Sequence, residues 1–423
     1  MTRRPFAARA SGATSSAVSR PYDLVLFGAT GFTGRLVAEY LAEHGPENLR
    51  WALAGRNETK LAGIAEELGL DVPLEVADAN DGAALAALAK KTRVVCTTVG
   101  PYAKYGEPLV AACAAAGTHY CDLTGEVQFV RRMIDAHHET AVESGARIVN
   151  CCGFDSIPSD LGCLMVAEAL VGHGATPTRV DFYAGESSGG ASGGTIASAL
   201  NMAEEMKADR SIRRLAANPY ALDPDRGFRG PDGPDQSSVK FAKDLGMWTC
   251  PFVMASINTR IVRRSHGLRG RPYGPGFQYT EQMSTGKGPK GFFRAATITA
   301  GLGVFLAAIQ PDPLRKLLAA KVLPKPGEGP SEEAREKGFF VSRLIGRGLK
   351  DGQEIQVRGK VRGEKDPGYG ETAKMLGESA LCLAFDEAGL PEAAGCLTPA
   401  SGMGMVLIER LRRAGMTFEV TRG

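Results

Sequence analysis

The stretch Asp23-Leu24-Val25-Leu26-Phe27-Gly28-Ala29-Thr30-Gly31-Phe32-Thr33-Gly34-Arg35-Leu36-Val37-Ala38 joins an apolar run to an amphipathic one through a glycine-rich turn. Residues 23–27 read as a strand and 31–43 as a helix, which places Gly28, Gly31 and Gly34 between them. A helix N-terminus offers unpaired N–H groups and the positive end of the helix dipole, a match for a pyrophosphate. Glycine removes the Cβ that would hold the backbone away from that anion. The spacing G-x-x-G-x-x-G departs from G-x-G-x-x-G, so the strand–turn–helix context carries the reading. Gly28, Thr30, Gly31, Phe32, Thr33 and Gly34 are therefore the candidate phosphate loop of a dinucleotide site.

Outward from this loop the alternation continues. Strands are expected over 51–54, 74–77, 93–99, 118–122 and 147–150, with helices over 57–68, 81–90, 107–116 and 128–144 between them. Asn57 stands where a helix cap belongs. The pattern predicts an α/β fold, a Rossmann-type doubly wound parallel sheet over residues 21–150. After Asn150 the rhythm changes. Helices over 159–170, 196–209 and 371–388, a strand over 179–184 and a hairpin from 341–347 and 354–362 give a second, α+β domain, assigned to 151–395. Residues 218–235, rich in Pro, Gly and Asp, read as a surface excursion.

The end of the second strand bears on cofactor choice. A site for NAD carries an acid there to bind the ribose 2′-hydroxyl. Here the chain reads Ala54-Gly55-Arg56, with Lys60 one turn on. A guanidinium grips a 2′-phosphate through paired hydrogen bonds, which points to NADP(H). The plain alternative is that Arg56 is a solvated residue opening the next helix. Asp78, after the third strand, suits either an adenine contact or a helix cap. Thr98, Gly100 and Pro101 close the fourth strand at the carboxyl edge where open α/β sheets bind ligands.

Composition limits other functions. The 423 residues carry 50 Lys plus Arg against 47 Asp plus Glu, and a net charge of +3 gives no support for nucleic-acid binding. Nine cysteines without a C-x-x-C pair suit buried thiols in a reducing cytoplasm. Six histidines without H-E-x-x-H spacing give no metal site. Residues 1–20, with Arg3, Arg4, Arg9 and Arg20 and no acid, read as a disordered tail or a transit peptide.

Several runs resemble a known family. Val99-Gly100-Pro101-Tyr102, Tyr105-Gly106 and Asp122-Leu123-Thr124-Gly125-Glu126 are similar to the saccharopine dehydrogenase-like oxidoreductases. Cys152-Gly153-Phe154-Asp155-Ser156-Ile157-Pro158-Ser159-Asp160 narrows the resemblance to trans-acting enoyl reductases and their eukaryotic relatives. Asn258-Thr259-Arg260-Ile261-Val262-Arg263-Arg264-Ser265 and Leu397-Thr398-Pro399-Ala400 extend it towards the C-terminus. The resemblance implies a final segment, 396–423, returning to the first domain. It also implies NADPH-dependent reduction of a carbon–carbon double bond in a polyketide or fatty-acyl chain, in some relatives for surface glycolipids. The substrate would ride on a separate synthase or acyl carrier protein. A saccharopine-type dehydrogenase acting on an amino-dicarboxylate, or a membrane-associated NADP-binding protein without turnover, are the alternatives.

Enoyl reduction requires a donor for the developing enolate oxygen and a proton for the α-carbon. Tyr102, placed after the fourth strand, is expected to project into the nicotinamide crevice. Tyr105, Asp155 and Ser156 are the other candidates, with packing or a helix-entry turn as their plainer roles. Two further features concern partners. Residues 295–311 carry no charge, which suits a buried helix, the wall of a substrate channel or a peripheral membrane contact. Arg260, Arg263, Arg264, Arg269 and Arg271 form a basic run that either steers an acidic carrier or is a solvated face.

Overall fold

The computed structural model describes residues 20–188, 193–311, 313–315 and 329–422. The expected tail, 1–20, lies outside these residues except for Arg20. That guanidinium donates to the carbonyl oxygens of Thr92 and Ala116 at 2.5 and 2.7 Å, so it is anchored.

The first half of the chain forms β1 (Tyr22–Phe27), α1 (Phe32–His44), β2 (Trp51–Gly55), α2 (Glu58–Glu67), β3 (Leu74–Val76), α3 (Gly82–Lys91), β4 (Thr92–Thr97), α4 (Tyr102–Tyr105), α5 (Glu107–Ala116), β5 (His119–Cys121), α6 (Val127–Ser144) and β6 (Arg147–Val149). Alternate residues of β1 serve two cores: Leu24 and Leu26 pack with α1, whereas Val25 and Phe27 pack with α3 and α5. A strand apolar on both faces must be covered on both, the condition for a parallel sheet. The six strands pair in parallel in the order β3-β2-β1-β4-β5-β6. The order reverses between β1 and β4, which opens a crevice at their carboxyl ends.

The second half forms α7 (Ile157–Gly172), β7 (Thr176–Ser188), α8 (Gly193–Ala208), α9 (Arg210–Ala217), β8 (Lys240–Ala242), β9 (Met247–Cys250), α10 (Ala255–Leu268), β10 (Gln278–Gly286), α11 (Gly288–Ala308), α12 (Glu332–Glu336), β11 (Phe339–Lys350), β12 (Gln353–Gly363), α13 (Gly370–Phe385), β13 (Gly395–Leu397), α14 (Pro399–Gly402), α15 (Gly404–Arg413) and β14 (Thr417–Arg422). A second seven-stranded sheet runs β14-β12-β11-β7-β10-β9-β8, with only β7 and β10 parallel. The expected hairpin is β11–β12, longer at both ends.

Four expectations change. The helix placed in the second domain near 371–388, α13, instead packs on α1 and on β1, β4 and β5 of the first sheet. Of the C-terminal segment, β13 joins the first sheet beside β6, but β14 joins the second beside β12. The basic run is neither solvated nor free. On α10, Arg260 pairs with Asp235, Arg263 with Asp232 at 2.7 Å, and Arg271 beyond it with Asp223 at 2.6 Å. Arg264 is buried and donates to the carbonyl oxygens of Leu222 and Cys396. The stretch 218–235 is thus the acidic clasp over these arginines, with Leu222 and Asp223 buried. Finally, 295–311 is not a buried helix. Val304 is 69% exposed and Leu306 49%, and α11 is long and apolar enough by length and composition to cross a membrane.

Candidate functional site

The phosphate loop has the form that its glycines require. Gly28 lies at φ 96°, in the left-handed region. A Cβ on Gly34 would sit 2.1 Å from the Gly28 carbonyl oxygen, so α1 can start this close to the strand end only without one. Gly31 differs. A Cβ there would meet only that same oxygen, at 3.4 Å, and would otherwise fill the open space over the loop. No side chain caps α1, and its first turn contains no acid. The N–H groups of Phe32, Thr33 and Gly34 therefore face this open cradle. Thr98 braces the loop from β4, its hydroxyl donating to the Gly28 carbonyl at 3.1 Å. The Phe32 ring is engaged by Tyr369, edge-on at 4.8 Å, so it is the backbone of Phe32 that is available to a ligand.

The residues present fit NADP(H). Arg56 is exposed directly after β2 and forms no ion pair among the described residues. Asn57 caps α2 by accepting from Lys60 N–H at 2.9 Å, which leaves Arg56 outside the helix. No acid stands between β2 and α2. Asp78 is not the cap of α3; Asp81 is, accepting from Ala83 and Ala84. Asp78 closes a turn through the Asn80 N–H at 2.9 Å and stays half-buried near the adenine end of the crevice expected from the sheet order.

At the opposite end, β4 runs into Val99, Gly100 and a cis Gly100–Pro101 bond. Tyr102 then turns inward rather than into the crevice. It is 4% exposed, its hydroxyl donates to the Thr97 carbonyl at 3.1 Å, and burial pushes its phenol well above the ordinary value. This corrects the expected projection: the one-turn helix α4 rotates the ring onto Phe129. Glu126 holds the turn, accepting from the N–H groups of Tyr102 and Ala103 at 3.0 and 2.9 Å and from Ser198 on α8. Tyr105 lies exposed on the rim.

The loops after β5 and β6 are tied together by Asp122. Its carboxylate accepts from Cys151 N–H, Thr124 N–H, Asn150 and Tyr120 at 2.8 to 3.1 Å. Burial raises it to about 6, which those hydrogen bonds oppose. Cys151 is held at φ 66°, a conformation that non-glycine residues seldom adopt. Asp155 follows. Its Oδ2 would stand 3.3 Å from a Cβ on Gly125, with Met254 beside it. It has no hydrogen-bond partner among the described residues, and burial pushes its carboxyl up to about 7. Ser156, by contrast, is fully buried and donates to Asn258 Oδ1 at 3.0 Å. Asn258 in turn donates to Ser159 and to Glu281, whose carboxyl burial raises to about 7.

Asp122, Glu126 and Asn258 entered the sequence reading only through the resemblance, and no local pattern reveals their partners. The structure brings those runs together: Asp160 accepts from Ser265 at 2.5 Å and from Ala400 N–H at 2.8 Å, so residues from three distant segments meet in one buried cluster. All nine cysteines are buried and free, and burial pushes Cys121, Cys151 and Cys152 away from the reactive thiolate form.

The family profile of the saccharopine dehydrogenase NADP binding domain matches residues 24–149, the first sheet and its loop. A trans-acting enoyl reductase of Mycobacterium tuberculosis is 41% identical over 96% of this chain and 99% of its own length. The trans-acting enoyl reductase of Mycobacterium ulcerans is 40% identical over the same shares. Among solved structures, apo saccharopine dehydrogenase (L-Glu forming) from Saccharomyces cerevisiae has the same fold, with a TM-score of 0.54 and 12% identity, covering 95% of this chain and 99% of that one. The chain belongs to the saccharopine dehydrogenase-like family of NADP-dependent oxidoreductases, in the branch of the trans-acting enoyl reductases.

Proposed function

We propose that this enzyme reduces a carbon–carbon double bond in a polyketide or fatty-acyl chain supplied in trans, for lipid or glycolipid synthesis, and that Asp155 gives the α-carbon its proton. The observation that carries this reading is the unpartnered Asp155 carboxyl beside Gly125, raised to about 7 and so able to hold a proton at neutral pH. NADPH, when bound, supplies a hydride; Gly28, Gly31 and Gly34 with the α1 N–H groups would hold its pyrophosphate and Arg56 its 2′-phosphate. Asp122 and Glu126 fix the two loops that flank the reacting carbons. Ser156 is a positioning residue, locked by Asn258. Tyr102 supports the loop from below, and Tyr105, on the rim, is the tyrosine left free to reach a substrate. Met254 beside the Asp155 carboxyl, and Phe154 next to it in the chain, edge-on to Phe340 at 4.8 Å, suit an acyl chain better than an amino-dicarboxylate. The arginines of α10 that would serve a dicarboxylate already hold the acids of 218–235. Trans-2-enoyl thioester should drive NADPH oxidation, and saccharopine with NADP should not; the opposite result refutes the reading.

We propose further that this cytoplasmic enzyme touches a membrane peripherally through 295–311, a reading supported by the exposure of α11. Phe293 is 67% exposed, and Lys287, Lys290 and Arg294 cluster at the helix start, the arrangement of an interfacial anchor on anionic lipid. Flotation with anionic liposomes should recover the native chain, and Val304→Asp should abolish recovery without lowering Tm. A fall in Tm instead refutes the contact.

A further inference from the structure

Among the described residues, the helices that pack on the second sheet lie on one face. α7 packs against the side carrying Val180, Phe182 and Leu344. On the opposite side, register sets Arg343 of β11 directly against Lys360 of β12 and places Arg358 two residues along. Like charges facing each other across neighbouring strands destabilise a sheet. Arg179 and Arg347 on the same face share Asp181, but Arg343, Arg358 and Lys360 form no ion pair or side-chain hydrogen bond among the described residues. Glu419 stands across from Lys360 on β14 and still makes no ion pair with it. The face continues into a polar hollow of about 380 Å³ bordered by Lys240 and Lys243 and by Arg347, which is paired with Asp181 and Asp244.

Its position relates it to the cleft. Near the start of β11 the Phe340 ring meets Phe154, which precedes Asp155 in the chain. Arg343 lies three residues along that strand, about 10 Å from Phe340 at the usual rise, and projects from the opposite face. A flexible arm from a partner seated on these cations would pass round the start of β11 to reach the proposed proton donor on the α7 side.

We infer that this sheet face docks an acidic protein that carries the acyl chain, which rests on the enoyl-reductase reading above. Charge complementarity selects that occupant. A second copy of this chain would press the same cations against each other about a two-fold axis. A lipid surface would be met by the exposed apolar α11, which contacts the sheet through Trp248 at its other edge.

The test uses the NADPH-loaded full chain and the double variant Arg343→Glu/Lys360→Glu, with Arg343→Gln/Lys360→Gln as a milder pair. The probes are an acidic acyl carrier protein bearing a trans-2-enoyl phosphopantetheine arm, and the same enoyl chain on free pantetheine. Charge reversal should weaken carrier binding, read by fluorescence anisotropy at low salt, about tenfold or more. The kcat/KM on the carrier should fall alongside it, while kcat/KM on the free thioester stays unchanged. Unchanged carrier binding overturns the inference, as does an equal loss on both substrates. So does a native dimer that the variant abolishes in sedimentation, or binding to anionic vesicles that the variant abolishes. Carrier binding that falls in the variant while the native chain reduces neither substrate keeps the docking face and overturns the enoyl-reductase reading alone.

Discussion

Replacing Asp155 by Asn tests both the proton donor and the cause of its protonation. The carboxyl is raised from 3.8 to about 7, and burial is the sole cause. A shift of roughly 3 units corresponds to about 4 kcal/mol against the ionised form. The side chain keeps some contact with solvent, so about 1 to 2 kcal/mol is the realistic share. A carboxyl whose folded value is raised stabilises the fold least when charged, so the penalty appears above pH 4 and grows until the group is fully ionised beyond pH 7. Asn carries no charge at any pH. Asp155→Asn should therefore match the native chain in urea melts near pH 4 and exceed it by about 1 to 2 kcal/mol at pH 8. In kinetics, the native kcat/KM should fall as pH rises through about 7, because the acid must be protonated to act. The variant should lose about 10²-fold or more of kcat, lose that pH limb, and keep its NADPH affinity. A stability difference that does not change with pH refutes the burial argument. A kcat that survives refutes the role.

Arg56→Asp should weaken NADPH binding by about 2 to 3 kcal/mol while sparing NADH, measured by fluorescence titration of both; equal loss for both refutes the 2′-phosphate contact. Gly31→Ala should keep the native Tm and lose NADPH affinity, whereas Gly34→Ala, whose Cβ would lie 2.1 Å from the Gly28 carbonyl oxygen, should lower Tm as well. Tyr102→Phe removes one buried hydrogen bond and should cost about 1 kcal/mol in denaturant melts with little change in kcat. A large loss of kcat would return Tyr102 to the chemistry.

The first sheet was legible because each of its signals is local. An apolar strand, a glycine turn and a capped helix repeat within spans that one window holds, and Asn57 and residues 107–116 stand where their patterns place them. What failed depends on partners distant in the chain. Arginines at 260, 263 and 264 have the look of a wet helix face until Asp232 and Asp235 cover them, and those acids lie in a stretch whose prolines and glycines suggest only a loop. Tyr102 failed for a smaller reason: one turn of α4 was invisible behind Pro101, and it decides which way the ring points. The site was half-legible in the same sense. The cradle is contiguous, whereas Asp122, Glu126 and Asn258 act through contacts made by folding.

The last strands of the chain have a consequence for how the molecule is made. β13 completes the first sheet beside β6, some 245 residues after that strand leaves the ribosome, and β14 then closes the edge of the second. Until synthesis nearly ends, β6 presents an unpaired edge and the helical layer supplied by α13 is missing, so the nascent N-terminal half is a half-clad sheet prone to sticky encounters. Such late, long-range closure slows folding. It also means that a truncation near residue 395 would remove an edge strand from each sheet at once.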